Sequence, residues 1–559
     1  MHARTRLIRI QRSMYHRLRQ YARAFLGNLS PGLKKYYLEY LRDFQDFKSI
    51  SSKKELLEAV QRAELVLCGD YHTLAQAQRT VLRLLRECAP LAAQSGRKII
   101  LALEMLHATD NAKTKEFQAG NIQEEEFLKV ISFHKRWGFR WENYRELFDF
   151  ARENQLPVVG INLARKTGRP TLKQRDAFAS KVLADLSLSD PNAWIFVLVG
   201  DLHLATAHLP AELERQFTKQ AAQRKWVVIH QNNERFYWKL VDKGLEQLVD
   251  VVLMKTDAYC VMSTPPWVKL QSHVKWNEIL AEEADAEELP DTVDHADEIK
   301  EWCEIIARFV GIEVKGGMDF QIQGPLDFGF LEHLQRSGRY NPGQIRFLAR
   351  ALGEFGNYFI PGENILFLSS LGVNHAAELA AIYLHAKMSG AQHWFEDPVR
   401  DFYPMVWVEA LGFLGSKVIN HKRKCNGPRD LESLAHHTRP KDKGQREAVA
   451  AARLALAHLK EEQRLRRSRD RKVFQLHIGG RAGGSDRALL YHKVAKFLGQ
   501  LLGHALYSAV MENRLSRDEL RDLFSNSFPS GEPSCRLYLD WAERLDQGGY
   551  RNVTKSERL

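Results

Sequence analysis

The chain has 559 residues, 44% apolar and 27% charged, an ordinary globular composition with room for about three or four domains. Its net charge of +12 is segregated: seven Arg and no acid in residues 1–28, twelve acids and one Lys in 278–304, and sixteen Lys or Arg against seven acids in 421–472. Composition excludes a mostly disordered chain, the lack of any run of about 18 apolar residues excludes a transmembrane helix, and the block segregation argues against one continuous phosphate-binding face, so no specific nucleic-acid partner is expected.

The first 28 residues carry Leu7, Met14, Leu18, Tyr21 and Phe25 at helical spacing among arginines. No apolar core and cleavage site of a secretory signal follow, and no lipobox is visible, so a cytoplasmic or peripheral-membrane location is expected. A basic amphipathic helix can lie on anionic lipid, but such stripes are more often faces packed on their own protein. The six cysteines form no C-x-x-C pair, which suits a reducing compartment and supports neither a zinc ribbon nor a disulfide scaffold.

From about residue 52 to 240, short apolar runs alternate with helical stretches. The runs are Leu65–Cys68, Ile99–Leu103, Val158–Ile161, Trp194–Val199 and Trp226–Ile229. The stretches between them include Ala75–Glu87, Glu124–Lys135, Trp141–Asn154, Leu172–Leu186 and Ala211–Gln223. This alternation predicts an α/β fold, a mostly parallel sheet flanked by helices, because parallel strands need crossover connections. Phe236–Leu240 and Ala258–Met262 read as edge strands. After Glu298 the pattern is helical: Asn341-Pro342 opens a helix, Gly356 and Gly390 stop helices, and Gln445–Arg467 is a strong helix. His375, Glu378 and His385 sit on the predicted helix Asn374–Lys387, read as a polar helix face. Gly479–Gly484 reads as a connector. The expected organisation is a basic helical segment at 1–50, an α/β domain at 51–275, an acidic linker at 276–300 and a helical C-terminal region at 301–559.

One signal carries chemistry. Gly69-Asp70-Tyr71-His72 and Gly200-Asp201-Leu202-His203 each follow an apolar run, with the glycines 131 residues apart. Each copy falls where a parallel strand ends, and ligands of open α/β sheets bind outside the carboxyl ends of the strands. Two other runs end in Glu104 and Asn162, with Arg165 three residues beyond the latter. One sheet edge would then collect His72, His203, Asp70, Asp201, Glu104, Asn162 and Arg165. Imidazoles and carboxylates of that kind bind divalent metals or act as general acid and base. No H-E-x-x-H, G-x-S-x-G or nucleophilic-cysteine signature is present.

The motifs also occur in a telling order. After the first Gly-Asp-x-His come Leu103-Glu104-Met105, Trp137, Trp141-Glu142-Asn143-Tyr144, Asp149-Phe150-Ala151-Arg152, Leu156-Pro157-Val158-Val159-Gly160-Ile161-Asn162 and then the second Gly-Asp-x-His. From about Ala63 to Gln231 the chain resembles the ChaN-like domain of the haem-binding-uptake, Tiki and erythromycin-esterase-like superfamily. The resemblance implies haem or iron binding, with His72, His203 and Glu104 matching its motif residues and Asp70 standing where Glu is usual. It also implies two hydrolase alternatives, a Tiki-like metal-dependent protease or an erythromycin-esterase-like enzyme acting on a peptide or small molecule.

The expected site therefore comprises His72, Asp70, Glu104 and His203 as catalytic or metal-binding residues, and Asn162, Arg165, Tyr71 and Asp201 as cofactor contacts. Its cofactor is haem or a divalent metal ion. A third reading, a helical scaffold carrying an inactive α/β domain, would show no ligand at this edge. Peripheral contact with an anionic membrane is left open by the basic N-terminus.

Overall fold

The computed structural model describes residues 2–26, 30–164, 170–285, 296–314, 317–324, 329–369, 372–391, 400–436, 440, 442–467, 484–546, 555–556 and 558. Two compact units make up the chain: Tyr15–Ala284 with Arg558, and Met1–Met14 with Asp285–Glu557.

The first unit is the expected α/β fold. Its sheet has eight strands: β1 (Phe47–Ser51), β2 (Leu65–Asp70), β3 (Lys98–His107), β4 (Val158–Asn162), β5 (Ala193–Gly200), β6 (Trp226–Gln231), β7 (Val251–Met254) and β8 (Tyr259–Val261), in the order β1-β7-β8-β6-β2-β5-β3-β4. The six strands from β8 to β4 are parallel, while β7 pairs antiparallel with both β8 and β1. β2 and β5 are buried along their whole length, as continuous apolar strands covered by helices on both faces should be. The side chains divide into two layers: Val66, Cys68, Leu101, Leu103, Phe196 and Leu198 face one, and Leu65, Leu67, Ala102, Ile195, Val197 and Val199 face the other.

Two expectations about this unit need correction. Phe236–Leu240 lies within the helix Glu234–Asp242, where Asn233 caps the first turn by accepting from the N–H groups of Arg235 and Phe236. Ala258–Met262 does contain a strand, but β8 sits between β6 and β7; the edge strand on that side of the sheet is β1, which sequence patterning missed, and β4 forms the other edge. The basic N-terminal segment forms the helix Ala3–Leu26, with Leu7, Met14 and Leu18 buried, so its stripe packs on the protein; Tyr21 points outward at 55% exposure.

The second unit is mainly helical. Its centre is built from Val373–Ser389, Phe402–Ile419 and Gly484–Met511. The Asn341 side chain caps Pro342–Phe355, and Gly356 and Gly390 end their helices in the left-handed conformation, as expected. The unit also holds a small sheet that the sequence did not signal, ordered β10-β11-β9 from β9 (Gln321–Gln323), β10 (Asn357–Ile360) and β11 (Ile365–Leu368). The face carrying Glu378 and His385 is not a solvated polar face. Both residues are buried, and the Glu378 carboxylate accepts from Arg423 at 2.8 Å. The Gly479–Gly484 connector lies outside the described residues except for Gly484, which starts a helix. Among the described residues, no helix is long and apolar enough to cross a membrane.

Candidate functional site

The two Gly-Asp-x-His motifs end neighbouring parallel strands, with Asp70 of β2 in register with Gly200 of β5. Gly69 is required there, because a Cβ on it would collide with the Asp201 carboxylate. Gly200 has a different reason. A Cβ on it would stand 3.3 Å from Nε2 of His72 and 3.4 Å from Oε2 of Glu104, so these two side chains converge over its bare backbone.

Around the first motif, Asp70 is buried and fully engaged. Its carboxylate meets Nδ1 of His72 at 2.7 Å and accepts from the Tyr144 hydroxyl at 2.8 Å and from the Gln78 amide. An ionised carboxylate can only accept, so Nδ1 carries the proton and the Nε2 of a neutral His72 keeps its lone pair. The His72 side chain is 22% exposed, with the rings of Trp137 and Phe139 at 4.6 and 4.7 Å between centroids. Asn143 holds the His72 carbonyl at 3.0 Å. Nε2 has no hydrogen-bond partner among the described residues.

Around the second motif, the imidazole is enclosed. His203 is 5% exposed, with Nδ1 2.5 Å from Asp176 and Nε2 3.4 Å from Glu104. Glu104 also accepts from Arg175 through Oε1 and from the Gly200 N–H at 2.6 Å through Oε2. Burial opposes the His203 charge, but Glu104 and Asp176 outweigh it and lift the imidazole to about 9. Burial alone would push the Glu104 carboxyl up; the Arg175 guanidinium and the His203 imidazolium hold it well below the usual carboxylate range. Asp176, His203, Glu104 and Arg175 thus form a set of two anions and two cations, buried except where Arg175 reaches the cleft.

Arg175 and Asp176 come from the first turns of the helix Leu172–Ser189, which a Thr171–Gln174 capping box starts. A second outside contributor is the helix Pro31–Asp43. Its Tyr36 hydroxyl donates to Asp176 at 2.8 Å and lies 3.1 Å from Nδ1 of His203, while its ring stacks on His208. Glu39 meets Nε2 of His208 at 3.2 Å, Tyr40 donates to Asp201, and Asp43 accepts from the N–H and hydroxyl of Thr206 at 2.7 and 2.6 Å. Positions 36, 39, 40 and 43 share one helix face, so one face clamps the segment 201–208.

A cleft of about 220 Å³ opens in front of His72, lined by His72, His107, Arg136, Trp137, Asn162 and Arg175 among others. Of the expected site residues, His72 and Asn162 line it, Asp70 and Glu104 stand directly behind, and His203 lies deeper, against Glu104. Asp201 turns away towards Tyr40 and His230, its carboxyl lowered by His230 against the opposing effect of burial. Tyr71 faces Lys269 and His273 rather than the cleft. Arg165 lies outside the described residues. Among the described residues, no group of three or more His, Cys, Asp or Glu is arranged to hold a metal ion.

Residues 56–177 match the family model described as haem-binding uptake, Tiki superfamily, ChaN. This stretch is ChaN-like. It contains Asp70, His72, Glu104, Asn162, Arg175 and Asp176, while the second Gly-Asp-x-His and the Pro31–Asp43 clamp lie outside the residues that the family model matches, which end before the expected limit near Gln231. A solved structure, titled as cofacial heme binding to ChaN of Campylobacter jejuni, is similar at 16% identity over 33% of this chain and 92% of that one, with a TM-score of 0.25. No curated protein matches the chain.

Proposed function

We propose that the α/β unit binds haem in the cleft in front of His72, with Nε2 of His72 as the iron ligand. The observation that carries this reading is the orientation of His72: Nδ1 is held by Asp70 at 2.7 Å, and Nε2 is left with its lone pair at the cleft. A carboxylate behind a ligating imidazole fixes the ring and raises its basicity. Haem needs only one axial side chain from the protein to be held through its iron. Trp137 and Phe139 supply an aromatic wall beside His72, and Arg136 and Arg175 supply cationic donors for carboxylates. Arg136 binds Asp110 and Arg175 binds Glu104, but a guanidinium carries five N–H donors, so both have donors to spare. Ordinary ligand pockets measure about 300–1,000 Å³, so a cleft of about 220 Å³ would grip the iron-facing part of haem and leave much of the macrocycle outside. The ChaN-like match is in keeping with this ligand.

A divalent-metal hydrolase fits less well. Such sites usually take three protein ligands. Asp70, Glu104 and His203 spend their polar atoms on Gln78, Tyr144, Gly200, Arg175 and Asp176, and a shared metal would have to displace those bonds. The Asp70–His72 pair can also serve as a general base, and that keeps a hydrolase as the second reading.

Titrating the purified protein with haem decides between them. The expected result is a shifted Soret band that saturates, lost in His72→Ala and retained in Lys113→Ala, an exposed residue outside the cleft. An unshifted band at saturating haem, or an identical spectrum in His72→Ala, would overturn the proposal. A stoichiometric divalent metal, present in the wild type and absent from both His72→Ala and His203→Ala, would favour the hydrolase.

A further inference from the structure

At the opposite, amino-terminal edge of the same sheet lies a second cleft of about 560 Å³. It is bounded by Ala59, Arg62 and Ala63 at the end of the helix Lys53–Arg62, by Arg224–Val227 leading into β6, and by Leu253, Asp257 and Tyr259 of β7, β8 and their turn. Its volume falls within the range of about 300–1,000 Å³ typical of small-molecule pockets. We propose that this cleft binds a small carboxylate with an aromatic body.

The argument rests on charge and on wall chemistry. Arg62 and Lys225 are exposed, and neither side chain has an ion-pair or hydrogen-bond partner among the described residues. The other charges of the cleft are engaged. Arg224 is tied to Ser187 through its guanidinium at 3.1 Å, and Asp257 is paired with Lys48 at 3.0 Å. The cleft therefore presents two cations whose side chains have no directly bonded partner among the described residues, with the Glu64 carboxylate held on the Lys225 backbone N–H at 2.6 Å. Between them the lining is apolar: Ala59, Val227, Leu253 and the ring of Tyr259. Lys225 directly precedes β6, whose Val227 is buried in the floor of the cleft. A ligand that satisfies both parts carries one or two negative oxygens and a flat apolar body, with a guanidinium fork suited to a carboxylate.

Calorimetry and ligand-detected NMR on the full chain test this with benzoate, benzyl alcohol and acetate as probes. Benzoate is expected to bind on the order of 1 mM, as befits so small a molecule, and more tightly than either the neutral ring or the ringless anion. Arg62→Gln with Lys225→Gln should weaken it about five- to tenfold, the effect of removing two exposed cations, without changing haem binding. Arg62→Glu with Lys225→Glu, which reverses both exposed charges, should abolish it while leaving the melting temperature near that of the wild type. Equal binding of benzoate and benzyl alcohol, equal affinity in the double variant, or no benzoate signal at about 10 mM, tenfold above the expected dissociation constant, would each overturn the proposal.

Discussion

At the scale of single residues, the two glycines that begin the motifs do different work, and their substitution should read out differently. Gly200→Ala places a methyl group against Nε2 of His72 and Oε2 of Glu104 at distances of 3.3 and 3.4 Å, contacts that small shifts can absorb. The expected outcome is a stable protein, within about 1–2 kcal/mol of the wild type by denaturant titration, whose haem Soret shift is weakened because the methyl stands at the ligating nitrogen. Gly69→Ala drives a methyl group into the largely enclosed Asp201 carboxylate, which Tyr40 and His230 hold in place. It should cost about 1–3 kcal/mol or more in stability while leaving the His72 spectrum unaltered in whatever fraction folds. Asp70→Asn separates orientation from charge. The amide preserves shape but no longer takes the Nδ1 proton as an anion, and loss of such a supporting carboxylate typically weakens metal affinity roughly 10–100-fold. Unchanged haem affinity in Asp70→Asn would remove the role given to the Asp70–His72 pair.

At the scale of elements, the strands were legible and the clamp was not. β2, β5, β6 and β4 announce themselves as apolar runs, and the repeated Gly-Asp-x-His marks the carboxyl ends of β2 and β5 without any knowledge of the fold. Glu104 was equally readable as the acid that closes the apolar run Ile99–Leu103, although β3 itself continues to His107. Three features left no such local trace. Phe236–Leu240 has the aromatic content of a strand, but the Asn233 cap and its packing against Phe44 and Phe47 make it a helix. The buried face of Glu378 and His385 looks polar in sequence because its partners, Arg423 and the Asn526 carbonyl, lie far along the chain. The clamp Pro31–Asp43 is the strongest case: Tyr36 reaches Asp176, and Tyr40 reaches Asp201, across 140 and 161 residues. A tyrosine at helical spacing reads as core, and only the fold reveals that its hydroxyl serves a buried charge. Tyr36→Phe keeps the ring on His208 but leaves one Asp176 oxygen without its donor, so a loss of about 1–3 kcal/mol is expected. Tyr21→Phe, at an exposed tyrosine of the N-terminal helix, should fall within about 0.5 kcal/mol of the wild type. Equal denaturation midpoints for the two variants would mean that the clamp hydroxyl contributes nothing.

At the scale of the whole molecule, the buried charge set ties the stability of the α/β unit to pH from both sides. The His203 imidazole is lifted to about 9, held by Glu104 and Asp176 against burial, whereas an unfolded histidine titrates near 6.5. A raised folded value means that the folded state binds the proton more tightly. Its stabilisation is complete below about pH 6.5 and disappears as pH climbs through about 9, an amount on the order of 3 kcal/mol. Glu104 works in the opposite direction. Its carboxyl is held below the ordinary range, so its share is complete above the unfolded value near 4.3 and is lost as the solution becomes more acid. The unit should therefore be most stable between these limits, and the alkaline limb can be isolated because it belongs to one residue. In His203→Gln the imidazolium is gone and two buried carboxylates lose its charge, so the variant should already be weaker at pH 7. Between pH 7 and 10 the wild type should then converge on the variant, as other groups titrate alike in both. A stability difference that stays constant over that interval in parallel denaturant titrations would show that His203 is neutral in the folded protein, and the balance of two anions against two cations would not hold.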